Sequence, residues 1–307
     1  MKILVATEKP FAKEAVDGIK EIVVAAGYEL ALLEKYSDKS ELLEAVKDAD
    51  ALIIRSDKVT KDVLEASETL KIVVRAGAGY DNVDLATATE RGVVVMNTPG
   101  QNSNAVAELA IAMMIFMSRN QFNPGTGSEI KGKSLGIHAY GNVGRLVALY
   151  GKAFGMTVYA FDPFVTDDAV FEADGIVKCD SVEELYSKSD FVSVHIPATA
   201  QTKGSLNYEL LNKMPKGGVI INTARKEVVN EEELVTLLEE RTDLKYATDI
   251  ISSNFAELSE KFGKRVFATS KKMGAETAEA NINAGLAAAN QIVDFLKNGN
   301  IRFKVNK

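Results

Sequence analysis

Short apolar runs alternate with longer stretches in which apolar positions recur every three or four residues, and this rhythm continues along nearly the whole chain. The short runs cover residues 3–6, 31–33, 51–54, 72–74, 93–96, 135–138, 158–161, 191–194, 219–222 and 246–250, and Val and Ile are concentrated in them. Branched side chains suit a pleated strand, and unbroken apolar runs of this length predict strands buried on both faces. Helical spacing marks 41–46, 142–153 and 231–238, and a long apolar stretch predicts a buried helix from about Asn102 to Arg119. Buried strands alternating with helices imply parallel sheets covered on both sides, so the fold class is α/β.

The rhythm breaks once. Residues 120–133 (NQFNPGTGSEIKGK) are rich in Gly, Asn and Lys and show no period, which predicts a loop entering a second sheet. A final helical pattern over 275–296, rich in Ala and Asn, is expected to return to the first domain. The division expected is therefore 1–98 with 283–307, and 99–282.

Composition narrows the class. A chain of 307 residues favours two domains. A net charge of −7, with no cluster of Lys or Arg, argues against nucleic acid or an anionic membrane as partner. The lone Cys179 excludes an intrachain disulfide and fits a reducing compartment. The N-terminal apolar run is too short for a signal peptide, and no stretch reaches the roughly 18 apolar residues of a membrane span. The longest, 105–117, is interrupted by Glu108. A cytoplasmic protein is expected, and no metal site is.

The sharpest motif lies between the expected strand ending at His138 and the helix that follows, reading Ala139-x-Gly141-x-x-Gly144. Here Ala replaces the usual first glycine of a dinucleotide-binding loop. The second glycine lets backbone approach a pyrophosphate, and the third lets helix and strand pack closely. Amides near Asn142 and Val143 would hold the phosphates at the helix N-terminus. The next strand ends at Asp162, eighteen positions beyond Gly144, where an acid can bind the ribose hydroxyls. No arginine adjoins Asp162 to accept a 2′-phosphate, so NAD is expected rather than NADP.

With these motifs in place, the chain resembles the D-2-hydroxyacid dehydrogenase family, and within it the branch acting on D-3-phosphoglycerate. The resemblance runs through IIRSDKVT (53–60), the long stretch 74–110, GKSLGIHAYGNVGRLVALYGKAFGMTVYAFDP (132–163), VSVHIPATAQTKG (192–204) and INTARKEVVNEEEL (221–234). It implies two doubly wound domains: a Rossmann NAD-binding domain and a discontinuous, flavodoxin-like substrate domain, with substrate in the cleft. It also implies oxidation of D-3-phosphoglycerate to 3-phosphohydroxypyruvate at the start of serine biosynthesis, and a homodimer formed through the cofactor domain. By resemblance, Asp162 binds the ribose, His195, Ile196, Pro197, Thr223 and Ala224 line the cofactor, and Asp249 lies near the nicotinamide. Arg225 grips the substrate's carboxylate and carbonyl oxygen, chemistry that suits a bidentate guanidinium. Ala78 and Gly79 match a backbone nest for the carboxylate, and Arg55, Ser56 and Asn102 match positions specific to phosphoglycerate.

Three departures from the family stand out. The His–Glu pair that moves the hydroxyl proton is replaced at both members, by Lys272 and Asn254. Lys272 is the expected proton-transfer residue, its pKa lowered by burial and by Arg225. Of the two histidines, His138 reads as a packed residue and His195 as a poorly placed base. The loop at 120–133 is shorter than the family's and the chain has no tryptophan. With Lys272–Lys307 spanning only the final helix and a short tail, no C-terminal regulatory domain is expected. Two alternatives remain open: a dehydrogenase of another 2-hydroxy acid such as glycerate or lactate, and an NAD(H)-binding regulatory scaffold.

Overall fold

The computed structural model describes residues 1–252 and 254–307. In chain order, the first elements are β1 (Lys2–Thr7), α1 (Lys13–Ala25), β2 (Glu29–Glu34), α2 (Lys39–Ala45), β3 (Ala51–Ile54), α3 (Lys61–Glu65), β4 (Ile72–Arg75), α4 (Leu85–Glu90) and β5 (Val94–Asn97). Next come α5 (Ser103–Ser118), β6 (Ser134–His138), α6 (Asn142–Ala153), β7 (Thr157–Phe161), α7 (Asp168–Asp174), β8 (Val177–Lys178), α8 (Val182–Lys188) and β9 (Phe191–Val194). The remainder are α9 (Tyr208–Leu211), β10 (Val219–Asn222), α10 (Glu231–Glu240), β11 (Lys245–Thr248), α11 (Phe255–Phe262), β12 (Val266–Ala268) and α12 (Ala278–Asn298). Two compact units result, Met1–Asn102 with Thr277–Lys307, and Ser103–Glu276.

The first unit is a five-stranded sheet ordered β2-β1-β3-β4-β5, parallel throughout, the flavodoxin-like order. Every residue of β3 is buried, whereas the edge strand β2 is only half-covered and so gave a weaker apolar run. Helix α1 buries Ala15, Ile19 and Val23, a stripe at fourfold spacing, and α12 packs against the same side of the sheet. Burying a side chain the size of Ile or Val stabilises by about 1.5–3 kcal/mol, so this stripe is enough to hold the helix down.

The carboxyl-terminal tail is bound into the same unit. Asn306 accepts from Val95 N at 2.8 Å and donates to Val93 O at 2.9 Å. The boundaries at 102/103 and 276/277 depart slightly from those expected. Thr277 caps α12 by accepting from Ala280 N at 3.1 Å, so that helix belongs whole to this unit and begins at Ala278 rather than at 275.

The second unit is a seven-stranded parallel sheet ordered β12-β11-β10-β9-β6-β7-β8. Counted within the unit this is the Rossmann order extended by one strand. Strands β9 and β10 are wholly buried, and α5, whose buried face includes Ala107, Ala110, Met113, Met114 and Met117, lies over one side of the sheet. The edge strands β8 and β12 are additions to the sequence expectation; at two and three residues they are too short to show a period. Strand β11 ends at Thr248, earlier than the expected 250. The loop after α5 opens with Asn120, Gln121 and Phe122 all at positive φ. Among the described residues no helix is long and apolar enough to cross a membrane, and no cluster of His, Cys, Asp and Glu could hold a metal ion.

Candidate active site

In the second unit the chain leaves β6 at His138 and turns through Ala139, Tyr140 and Gly141 into α6. Ala139 adopts φ +81°, the left-handed conformation that the usual glycine takes freely and that costs an alanine about 1–2 kcal/mol. Gly144 is obligatory for packing, because a Cβ there would stand 2.2 Å from Ala139 O and 2.9 Å from Ile137 Cγ2. At Gly141 an added Cβ would meet nothing within 4 Å, so the turn is open on that side. No side chain caps α6, which leaves the leading amides around Asn142 and Val143 available to an anion. Asp162, just past β7, accepts from Tyr140 N at 2.8 Å and Phe164 N at 2.9 Å, which fixes its carboxylate beside the loop.

The sheet register brings the other cofactor candidates into line. Phe161 pairs with His138, His138 with Val194, Val194 with Asn222 and Asn222 with Thr248. The residues that follow, Asp162, Ala139, His195, Thr223 and Asp249, therefore form one row beyond the carboxyl ends of five neighbouring strands. Ile196 and Ala224 are buried behind that row and Pro197 is exposed. His195 Nε2, Thr223 Oγ1 and Asp249 Oδ1 are buried with no hydrogen-bond partner among the described residues. An unpaired buried polar atom costs about 1–3 kcal/mol, so three in one row fit a polar ligand that supplies the partners.

Burial also sets the protonation states. It drives the His195 imidazole down to about 3, with His138 adding a smaller push in the same direction. His138 is lowered to about 4 by burial, against the attraction of Asp162, and its Nδ1 lies 3.2 Å from the Tyr186 hydroxyl. Both rings are neutral at neutral pH, and His195 is too weakly basic to collect a proton there. His138 is the packed, hydrogen-bonded residue expected.

Asp249 is fully buried, and its Oδ2 accepts from Gly274 N at 2.6 Å and Met273 N at 3.2 Å. Burial raises its carboxyl, while these amides and the Lys272 ammonium oppose the shift. Lys272 itself is exposed. The burial expected to lower its amine is thus missing, and the Asp249 carboxylate favours the charged form. The segment 271–273 is an exposed loop, which apolar pattern alone does not reveal. Asn254 Oδ1 is buried and without a partner among the described residues. Arg225 is half-buried just beyond β10, and its Nη1 donates to Ala224 O at 2.9 Å.

The first unit carries a different set of groups. Arg55 follows Ile54 at the end of β3, and Ile54 pairs with Arg75, the last residue of β4, so two arginines stand at adjacent strand ends. Arg75 Nε donates to Arg55 O at 2.9 Å. Its guanidinium lies across Gly77, where an added Cβ would come within 1.5 Å of Nη1. Arg55 donates to Lys9 O and Pro10 O, each at 3.3 Å, and to the Asn281 side chain, and it lies 5.2 Å from the centre of the Phe11 ring. These partners are all neutral, so the guanidinium keeps its charge for an anion.

Asp57, buried beneath this loop, accepts from Glu8 N, Arg55 N and the Tyr36 hydroxyl. The Ala78–Gly79 turn is held from below, with Gly77 N donating to Thr98 Oγ1 at 2.6 Å and Asn97 Nδ2 to Ala78 O at 2.6 Å. Ser56 is exposed and Asn102 half-buried at the end of the unit's first segment. Sequence reasoning missed Arg75, Asp57, Thr98 and Asn281. Arg75 carried a signal, since it directly follows an apolar run, and Asp57 lies two residues past Arg55, whose N–H it accepts; Thr98 and Asn281 are joined to the site by contacts distant in sequence.

Comparison with known proteins agrees with this geometry. The profile of the D-isomer specific 2-hydroxyacid dehydrogenase NAD binding domain matches residues 105–268. The chain is similar to D-3-phosphoglycerate dehydrogenase of Methanocaldococcus jannaschii, 34% identical over 97% of this chain, and spans 58% of that relative's length. It is similar to hydroxypyruvate reductase of Thermotoga maritima, 39% identical over 67% of this chain and 70% of the relative. Among solved structures it resembles the NAD+-bound 3-phosphoglycerate dehydrogenase of Entamoeba histolytica, with 48% identity, TM-score 0.90, and coverage of 100% of this chain and 99% of that one.

Proposed function

The chain belongs to the D-isomer specific 2-hydroxyacid dehydrogenase family, and we propose that it uses NAD to oxidise D-3-phosphoglycerate to 3-phosphohydroxypyruvate, the entry to serine biosynthesis. The observation carrying the choice of substrate is the pair Arg55 and Arg75 at adjacent strand ends, with Arg55 held only by neutral groups. A plain 2-hydroxy acid carries no second anion for Arg55; a phosphate dianion supplies one. Similarity to an NAD+-bound 3-phosphoglycerate dehydrogenase along the whole chain supports the same reading.

The second unit's residues fit NAD. Gly141, Asn142, Val143 and Gly144 would hold the pyrophosphate, Asp162 the ribose diol, and His195, Ile196, Pro197, Thr223, Ala224 and Asp249 the nicotinamide half, where the unpaired buried atoms lie. Bound there, NAD supplies the two-electron acceptor for the hydride of C2. Asp162 repels a 2′-phosphate, which sets the preference against NADP.

Arg225 orients the substrate through its carboxylate and stabilises negative charge on the C2 oxygen. Within the first unit, the Ala78–Gly79 amides are assigned to a carboxylate, and Arg55, Ser56, Arg75 and Asn102 to a phosphate. Lys272 carries the hydroxyl proton. Its amine is exposed and interacts with the Asp249 carboxylate, and it would give a proton to the keto acid in one direction and take one from the hydroxyl in the other.

The reading extends to a homodimer formed through the second unit, where Leu149 and Phe154 are exposed and a cavity is lined by Ile115, Ser118, Ile130 and Phe154. It also extends to the cytoplasm, in keeping with a single buried cysteine.

The decisive assay follows NADH absorbance with D-3-phosphoglycerate, D-glycerate and D-lactate, and repeats the best substrate with NADP. Strong preference for the phosphorylated acid and for NAD is expected. Equal rates on glycerate would overturn the substrate assignment, and binding of NADH without turnover of any acid would turn the reading to a regulatory scaffold.

A further inference from the structure

One buried polar network in the second unit has a use beyond filling the core. Asn222 is the last residue of β10 and fully buried. Its Oδ1 accepts from Ala224 N at 3.0 Å, and its Nδ2 donates to Arg225 O at 3.0 Å and to the Tyr246 hydroxyl at 3.3 Å. A backbone N–H only donates and a carbonyl only accepts, so these partners fix which end of the amide is which.

On the neighbouring strand, Thr248 Oγ1 donates to Asn222 O at 2.7 Å and accepts from Ile250 N at 3.0 Å. Thr248 thereby ties the turn bearing Arg225 to the turn bearing Asp249. Tyr246 is 3% exposed, and its hydroxyl is held neutral by burial and pushed up to about 12. A strand interior gains nothing in stability from an amide and a phenol that aliphatic side chains could replace; a strand end carrying a reactive arginine gains a fixed exit geometry.

We infer that Asn222, oriented by Tyr246 and tied across by Thr248, is a positioning residue that sets where Arg225 leaves the sheet. This rests on the assignment of Arg225 to the substrate. Replacing Asn222 risks the fold, so the test uses Tyr246→Phe and Thr248→Val, each removing one hydroxyl. Dissociation constants of D-3-phosphoglycerate and of NADH are measured by NADH fluorescence, alone and in an Arg225→Lys background.

Each single variant is expected to weaken D-3-phosphoglycerate about three- to tenfold, the worth of one hydrogen bond, with NADH affinity within about twofold. In the Arg225→Lys background the same changes are expected to have almost no effect on D-3-phosphoglycerate, because their influence passes through Arg225. Equal weakening of NADH, an equal factor in both backgrounds, or no effect in either would overturn the inference. If Arg225→Lys alone leaves D-3-phosphoglycerate affinity intact, the assignment of Arg225 fails, and the inference with it.

Discussion

The two sheets share one design, parallel strands with their functional side chains just past the carboxyl ends, yet the two rows of side chains are opposite in character. In the first unit the row is cationic and amide-rich, and Arg55, Gly77 and Ala78 are tied to neutral neighbours: Arg55 to backbone carbonyls and Asn281, Gly77 N to Thr98, Ala78 O to Asn97. In the second unit the row holds an acid at Asp162, a neutral histidine at His195 and a buried acid at Asp249, and three of its polar atoms lack partners among the described residues. The first row is prepared electrostatically and is complete in itself. The second leaves buried polar atoms that a ligand could pair. A parallel sheet thus dictates where side chains converge, while the residues after each strand decide whether that place attracts charge or requires a partner.

The contrast can be broken most forcefully at Lys272. Its replacement by Met removes the only proton carrier assigned to the second row, and kcat is expected to fall by about 10²–10⁴-fold with NADH affinity near wild type. Near-normal turnover in the variant would shift the proton to water, since His195 is too weakly basic to take it. A smaller effect is expected from Arg55→Ala, which should weaken D-3-phosphoglycerate by about 1.5–3 kcal/mol and D-glycerate far less. Equal losses on both acids would mean that the first row is not built for phosphate.

The neutral histidines of the second unit set an acid limit on stability. His138 titrates near 4 when folded and near 6.5 when unfolded, so the unfolded chain binds the extra proton between those values. Stability is therefore full above about pH 6.5 and is lost as pH falls toward 4, at about 1.4 kcal/mol per pH unit for this ring. Chemical denaturation of His138→Gln across that window should give a slope shallower by that amount; an unchanged slope would mean that the ring is already charged in the folded protein. The mildest change sharpens the comparison at the phosphate loop. Ala139→Gly relieves a positive φ worth about 1–2 kcal/mol but loosens the unfolded chain by about 0.4–1 kcal/mol, leaving a small net gain. A lower melting temperature in that variant would show that the alanine methyl earns its position by packing.

Asp162 could be read from sequence because it directly follows an apolar run, whereas His195, Thr223 and Asp249 came from the family resemblance, and the structure places them directly after β9, β10 and β11. Long buried strands advertise themselves through their length and branching, and the residue after each inherits a position at the sheet's edge. What depends on contacts far along the chain was not legible. Asn281 meets Arg55 across 226 positions, and neither residue announces the other. The exposure of Lys272 was also hidden, since local composition does not tell a covered turn from an open one. Strand β8 escaped notice because its Val177 is 48% exposed, which leaves a two-residue strand no apolar signature.

The split of the first unit into 1–102 and 277–307 bears on the order in which the protein is made. A ribosome releases the five strands of the first sheet early but withholds α12, which covers one face of that sheet, and Asn306, which pins the edge strand β5. The second unit is continuous and complete at residue 276, so it can fold while the first still lacks its last pieces. During synthesis the first unit therefore waits, with apolar surface uncovered, on a second unit that has already closed. A chain truncated before Thr277 should retain a folded, NADH-binding second unit and leave the first open to proteases, a difference that limited digestion would read directly.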